Sequence, residues 1–330
     1  MHTILLIGAG NIGRRHLQGI LLAQHSLQIH IIEPFEPNRN LIEQAVTEAG
    51  GLRQHTLQIF SSLDEIEHQH FEIVIIATSA DVRKNVLLDF LSKKTVTYLV
   101  LEKVLFQNLD DYKTVGKLLY EKKISTFVNC TRRYFPHYQQ IKKEIASSIF
   151  MEMKVSGSNW GLACNAIHLL DLFNYFNDNT DYHFEIDGID KQVHSAKRKG
   201  FIELTGTIKT EAKDLFQFSA ISHNTSGEPL LIQLKTNRAE FIINETEGKI
   251  SCRAVLENEE NKHFNNLKID YKALPLSQSA NLFVDDLLNT GSCLLTDYFV
   301  SAQLHTALIK AYEQFLQEMN FDVSNGVPIT

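Results

Sequence analysis

The chain has 330 residues, 44% of them hydrophobic and 22% charged, which excludes extended disorder and fibrous repeats. Lys and Arg number 32 against 39 Asp and Glu, and the formal net charge of -7 argues against general affinity for nucleic acid or an anionic membrane surface. At ~100–200 residues per domain the length predicts two domains, and no apolar run approaches the ~20 residues of a membrane span.

Residues 1–130 alternate short apolar runs with amphipathic stretches. Runs at Ile4–Ile7, Gln28–Ile32, Leu57–Phe60, Ile73–Ala77, Tyr98–Leu101 and Thr126–Asn129 read as strands covered on both faces. Helical patterns at Ile12–Ala23, Arg39–Ala49, Val82–Leu91 and Asp110–Lys122 separate them, and Ser62-x-x-Glu65 reads as a capping box. Strand and helix in alternation predict a parallel sheet with right-handed crossovers. The pattern changes after Pro136: helices are expected over Tyr138–Ser147 and from about Ala163 to Phe176. Ile202, Leu204, Gly206 and Ile208, then Leu230, Ile232 and Leu234, alternate with polar positions, as antiparallel strands with one apolar face do. Asn258–Lys262 reads as a solvated hairpin loop, and helical patterns at Gln278–Asn289 and Thr296–Gln317 close the chain. The expected domains are therefore 1–130 and 131–330.

The N-terminus runs from Met1-His2-Thr3 straight into the first strand, without a basic leader, and is expected to be mature and unexported. Cys130, Cys164, Cys252 and Cys293 form no C-x-x-C pair, which fits free thiols in a reducing cytoplasm. No metal-ligand cluster is visible; His68 and His70 read as surface residues.

Gly8-Ala9-Gly10-Asn11-Ile12-Gly13 is a G-x-G-x-x-G between the first strand and first helix. Gly8 permits a tight turn, Gly10 allows close approach of a pyrophosphate, and Gly13 lets the helix pack on the strand. Asn11 and Ile12 should line the phosphate turn. Glu33 ends the second strand about 20 residues beyond Gly13, where a carboxylate accepts hydrogen bonds from ribose hydroxyls and repels an extra phosphate. This favours NAD over NADP, although Arg39 lies close enough to meet a phosphate. Thr78 and Ser79 follow the fourth strand, at the edge where such sheets hold ligands; Ser79 reads equally as a phosphate or ribose ligand and as an N-cap. Glu102-Lys103 follows the fifth strand at the same edge, either as site residues or as a strand-end ion pair.

Gly8-x-Gly10-x-x-Gly13-x-x-His16, Ile73–Thr78, Glu102-Lys103, Arg133-Tyr134-Phe135-Pro136 and His168-x-x-Asp171, in this order, resemble the Gfo/Idh/MocA family of glucose–fructose oxidoreductase and inositol dehydrogenase. The resemblance implies an α/β fold: an N-terminal Rossmann doubly wound parallel sheet plus a C-terminal α+β domain with an open-faced, mainly antiparallel sheet. It implies an NAD(P)-dependent oxidoreductase acting on a carbohydrate or sugar nucleotide, in bacterial surface-sugar biosynthesis, and a homo-dimer or homo-tetramer formed through the C-terminal sheet. It implies Lys103 and His168 as catalytic residues, with Glu102 and Lys103 also beside the cofactor. Three positions depart from the family pattern: Val104 stands where proline is usual after Glu-Lys, Arg83 where histidine is usual, and Cys164 where an aspartate often precedes the histidine by one helical turn.

On a helix, Cys164, His168 and Asp171 share one face. An imidazole can take a carbinol proton, while Lys103 can hydrogen-bond the same oxygen or relay its proton. Asp171 reads as a site residue or as a support for His168, Asn165 as a neutral polar contact, and Cys164 as a small apolar substitute that can still sit in the substrate pocket. Trp160 reads as a sugar-stacking platform or an interface anchor, and Arg133 as a ligand for the cofactor or an anionic substrate or as an ion-pair partner at the domain boundary. Two other functions fit the same residues: reduction of a C=N bond, and a non-catalytic NAD-binding sensor or scaffold.

Overall fold

The computed structural model describes residues 1–210, 215–256 and 258–330. Six strands, β1 (His2–Ile7), β2 (Leu27–Ile32), β3 (Thr56–Phe60), β4 (His70–Ile76), β5 (Thr95–Leu101) and β6 (Ser125–Val128), pair in parallel in the order β6-β5-β4-β1-β2-β3. This is the Rossmann order, and its crossovers carry α1 (Asn11–Ile20), α2 (Glu36–Arg39), α3 (Ile42–Glu48), α4 (Ala80–Lys93) and α5 (Leu109–Lys122). Ile4, Leu5 and Leu6 of β1 and Ile73, Val74, Ile75 and Ile76 of β4 are fully buried, as continuous apolar runs in a covered sheet require. The helix expected over Arg39–Ala49 is two helices. Pro37 lies in the first turn of α2, where its missing N–H breaks no helical bond, and starts that element earlier than periodicity alone suggests. At the expected capping box, Glu65 accepts from Ser61 N at 3.1 Å as well as from Ser62 Oγ at 3.4 Å, around a single 3-10 turn.

The second unit holds α6 (Pro136–Glu144), β7 (Met151–Ser158), α7 (Leu162–Asn177) and a small hairpin. Its remaining strands are β8 (Phe184–Glu185), the hairpin pair β9 (His194–Ser195) and β10 (Ile202–Glu203), then β11 (Gly206–Thr210), β12 (Phe216–His223), β13 (Leu231–Thr236), β14 (Ala239–Asn244) and β15 (Lys249–Ala254). A seven-stranded sheet runs β15-β14-β13-β7-β12-β11-β8, antiparallel except for β7 beside β12. Ala220, Val155, Ile232 and Ile243 align across four strands on its buried face, where α7 packs with Phe173 against Phe218. The opposite face carries Lys154, Gln233 and Ile242 in register.

Two expectations differ here. The alternation from Ile202 to Ile208 spans two sheets, because Gly206 takes φ +98° and turns the chain between β10 and β11. The polar run at 258–262 is no hairpin loop: β15 is the last strand of its sheet, a 3-10 turn follows at Lys262–Asn266, and buried Asn261 accepts from Arg238 Nε at 3.2 Å.

The chain then returns to the first unit. In α8 (Leu276–Thr290), Ala280 packs so closely on Gly19 of α1 that a Cβ at residue 19 would lie 2.6 Å from the Ala280 Cβ. The Asp285 carboxylate accepts from Gln24 N, and β16 (Thr296–Asp297) pairs antiparallel with β6. The last helix, α9 (Tyr298–Glu318), begins there. The compact units are thus 1–106 with 110–134 and 274–299, and 107–109 with 135–273 and 300–330. Periodicity could not reveal this, because α8 has the same apolar stripe whichever unit it covers.

Candidate functional site

The first candidate group sits at the C-terminal edge of the parallel sheet. Gly8 has φ +93°, and its N–H donates to Ile32 O at 2.8 Å, closing the turn after β1. A Cβ on Gly13 would lie 1.9 Å from Gly8 O, whereas one on Gly10 would meet nothing within 4 Å. Gly13 is therefore a packing glycine and Gly10 opens onto free space. Helix α1 starts there without a side-chain cap and without an acid in its first turn, so its N–H groups and positive dipole end face that space. Asn11 and Ile12 are exposed beside it, and Arg14 donates to Ala9 O and Asn11 Oδ1.

Glu33 is 5% exposed; its carboxylate accepts from Ala9 N at 2.7 Å and Phe35 N at 3.0 Å. Each oxygen keeps a lone pair for a ribose hydroxyl. Arg39 donates to the carbonyls of Glu33 and Pro34. The Thr78 hydroxyl is buried without a hydrogen-bond partner, and Ser79, at the N-cap position of α4, makes no side-chain capping bond. An open glycine, an uncapped helix start, a terminal carboxylate and an orphaned hydroxyl fit a dinucleotide.

Beside this edge lies a buried polar network. Glu102 is 6% exposed, and its Oε1 accepts from His16 Nε2 and from Asn129 Nδ2, each at 2.6 Å. Burial raises the Glu102 pKa, but the His16 hydrogen bond and charge, the Arg83 charge and the Asn129 hydrogen bond outweigh it and hold the carboxyl below its ordinary value. Glu102 thus ties α1 to the ends of β5 and β6. Lys103 follows it, half-buried, and the Lys103–Val104 peptide is cis at the position where the sequence lacks a proline.

Arg83, 1% exposed, donates to Val104 O and Thr78 O, and to Leu105 O at 2.9 Å. Sequence reading marked Arg83 only as a departure and overlooked Asn129; a polar residue ending the apolar run Thr126–Val128 was the available signal for the latter.

The second group is on α7 and its N-terminal approach. Cys164, His168 and Asp171 share a helix face as expected; the first two are half-buried and Asp171 is buried. Asn165 Nδ2 donates to Trp160 O at 2.9 Å, and Trp160 Nε1 donates to Ile221 O at 2.7 Å, which pins the indole to β12. Cys164 Sγ approaches Ile202 O at 3.7 Å. Glu203, which sequence reading missed, accepts from Ala163 N at the start of α7, and the Tyr312 hydroxyl donates to Leu162 O at 3.0 Å.

Arg133 lies in the 3-10 turn Thr131–Tyr134 of the first unit, partly exposed. His70 bonds Thr95 and Thr97, and the His68 ring packs on Phe71. Among the described residues no group of three or more metal-ligating side chains occurs, no helix is long and apolar enough to cross a membrane, and none of the four cysteines forms a disulfide.

The sequence pattern of an oxidoreductase family with NAD-binding Rossmann fold, Gfo/Idh/MocA, matches residues 2–130. Among curated proteins no sequence relative matches. Solved structures share the fold at low identity. UDP-N-acetylglucosamine 3-dehydrogenase from Acidithiobacillus ferrooxidans is 12% identical over 96% of this chain and 99% of its own, with TM-score 0.65. An oxidoreductase from Agrobacterium radiobacter, in complex with NAD+, L-tartaric acid and magnesium, is 13% identical over 96% and 97%, with TM-score 0.66. Scyllo-inositol dehydrogenase from Lactobacillus casei, with bound NAD(H) and scyllo-inositol, is 15% identical over 96% and 98%, with TM-score 0.61. The first unit is an NAD-binding Rossmann domain.

Proposed function

We propose that this chain, whose residues 2–130 match the Gfo/Idh/MocA oxidoreductase pattern, moves a hydride between NAD and a carbinol or ketone carbon of a carbohydrate or sugar nucleotide. The observation that carries the reading is the placement of Lys103 at the end of β5, next to Glu102, whose carboxylate is bound to the glycine-loop helix through His16. The cofactor, when bound, supplies the hydride acceptor or donor. Gly8, Gly10, Asn11 and Ile12 would hold its phosphates, with Gly13 letting α1 close onto the turn; Glu33 would accept from its ribose, and Thr78 and Ser79 would donate to it.

Lys103 donates a hydrogen bond to the substrate oxygen, which stabilises negative charge there. His168 takes the hydroxyl proton in the oxidative direction and returns it in the reductive one. Cys164, Asn165, Asp171, Trp160 and Arg133 shape the substrate site in this reading. Trp160 does so from a fixed position, because its N–H is already bonded to β12. The exposed turn Lys197-Arg198-Lys199 between β9 and β10 favours an anionic sugar nucleotide over a neutral sugar, since β10 runs beside the start of α7. The open face of the seven-stranded sheet pairs between subunits in a homo-dimer or homo-tetramer, and the enzyme works in the cytoplasm; sedimentation showing only monomer would remove the assembly from this reading.

The test is to mix the protein with NAD and a panel of sugars and sugar nucleotides and follow the absorbance of the reduced cofactor. Lys103→Ala and His168→Ala should each lower kcat by roughly 10²–10⁴-fold while NAD affinity stays near that of the wild type. Turnover retained in both variants would overturn the assignment. Tight NAD binding without turnover on any substrate would favour a sensor or scaffold, and turnover of imines alone would favour C=N reduction.

A further inference from the structure

An arginine buried to 1% exposure in the interior of a parallel-sheet domain needs a reason, because its charge cannot be removed by deprotonation and its donors need acceptors. The acceptors of Arg83 come from two loops. One nitrogen donates to Thr78 O, in the loop leaving β4; the other donates to Val104 O and Leu105 O, in the turn leaving β5 directly after Lys103. Arg83 itself sits in the first turn of α4, so its backbone moves with Thr78 and Ser79. A planar guanidinium fixes the separation of carbonyls on its two sides, which a single ammonium cannot do. The Thr78 hydroxyl is buried and without a partner beside this strap, and Glu102 is drawn below its ordinary pKa partly by the same charge.

We propose that Arg83 is a positioning residue that couples the cofactor loop after β4 to Lys103. Contact of the dinucleotide with Thr78 and Ser79 fixes α4 and, through the guanidinium, fixes the backbone that aims the Lys103 ammonium. The proposal rests on the reading of Lys103 as the residue facing the nicotinamide.

The test reads Lys103 directly. Lysines are labelled by reductive methylation with carbon-13, the Lys103 resonance is assigned by its loss in Lys103→Arg, and its pKa is titrated with and without NAD. In the wild type the cationic nicotinamide should lower the Lys103 pKa. In Arg83→Lys, and in Arg83→Ala, NAD should still bind but that downward shift should be lost. Methylguanidinium added to Arg83→Ala should restore it, which a general loss of stability would not allow.

A wild-type Lys103 resonance indifferent to NAD would overturn the placement of Lys103 itself. A wild-type response kept in full by both variants would overturn only the role of Arg83. Hydrogen exchange on the unmodified wild-type chain gives a readout that depends on no variant. NAD should slow exchange at residues 79–83 and 103–106 together, and slowing confined to the first segment would overturn the coupling.

Discussion

Around Lys103 the side chains are tied to one another through buried charge: His16 and Asn129 converge on one oxygen of Glu102, and Arg83 bridges the loops after β4 and β5. Around His168 the fixing is of another kind. The helix is held at its start, by Glu203 on Ala163 N, by Tyr312 on Leu162 O and by Asn165 on Trp160 O, while Cys164 and His168 stay half-buried on its surface. A cofactor common to many enzymes is served by a rigid edge whose polar groups answer each other. In the proposed function a variable substrate would be served by a helix anchored at its start, whose half-buried face can change without disturbing the anchor.

The largest effect expected from breaking this contrast is in the first unit. Glu102→Ala leaves His16 and Asn129 donors buried without their acceptor and should cost roughly 3–5 kcal/mol in denaturant unfolding. A loss near zero would show that the network is not a clamp. The glycine loop sharpens the point, because its residues separate packing from binding. Gly13→Ala forces a methyl against Gly8 O and should lower stability by about 1–3 kcal/mol or more. Gly10→Ala meets open space, so its melting temperature should match the wild type while NAD affinity falls; equal NAD binding would remove Gly10 from the phosphate site.

In the second unit Tyr312→Phe removes a single hydrogen bond to Leu162 O and should cost only about 0.5–1.5 kcal/mol, read by the same unfolding experiment.

The smallest effect is a pH dependence. His30, on β2, is packed among Phe60, Phe71 and His68, and both its ring nitrogens are buried without hydrogen-bond partners. Burial first, and the His68 charge second, lower its pKa from 6.5. The unfolded chain therefore binds a proton that the folded chain resists. This contribution to stability is present above pH 6.5 and is lost as pH falls from there towards the folded value. His30→Phe should flatten that part of the unfolding profile, and an unchanged profile would place the acid sensitivity elsewhere.

Strands such as β1 and β4 were legible in the sequence because they are buried on both faces, which leaves runs such as Ile73–Ile76 without a polar interruption; β3, expected to be covered in the same way, is instead largely exposed because it lies at the sheet edge. The glycine motif, Glu33 and the Glu102-Lys103 pair were legible for a related reason: each depends on its distance from a strand end. Strands β7, β12, β14 and β15 went unrecognised, although β7 alternates Met151, Met153 and Val155 inward with Glu152 and Lys154 outward. Their partners lie far away in sequence, and a half-covered strand of mixed composition gives a weak signal until it is paired.

Apolar periodicity and the spacing of glycine and carboxylate around the first strands determined, from the sequence alone, an α/β chain with a dinucleotide-binding start. Only the folded chain decided that α8 covers α1, that Asn129 completes the Glu102 clamp and that an arginine straps the turn after Lys103. The physical reason is that a strand, a helix start or a tight turn is a local consequence of neighbouring residues. The acceptor that satisfies a buried charge is chosen by packing between segments that sequence distance does not connect.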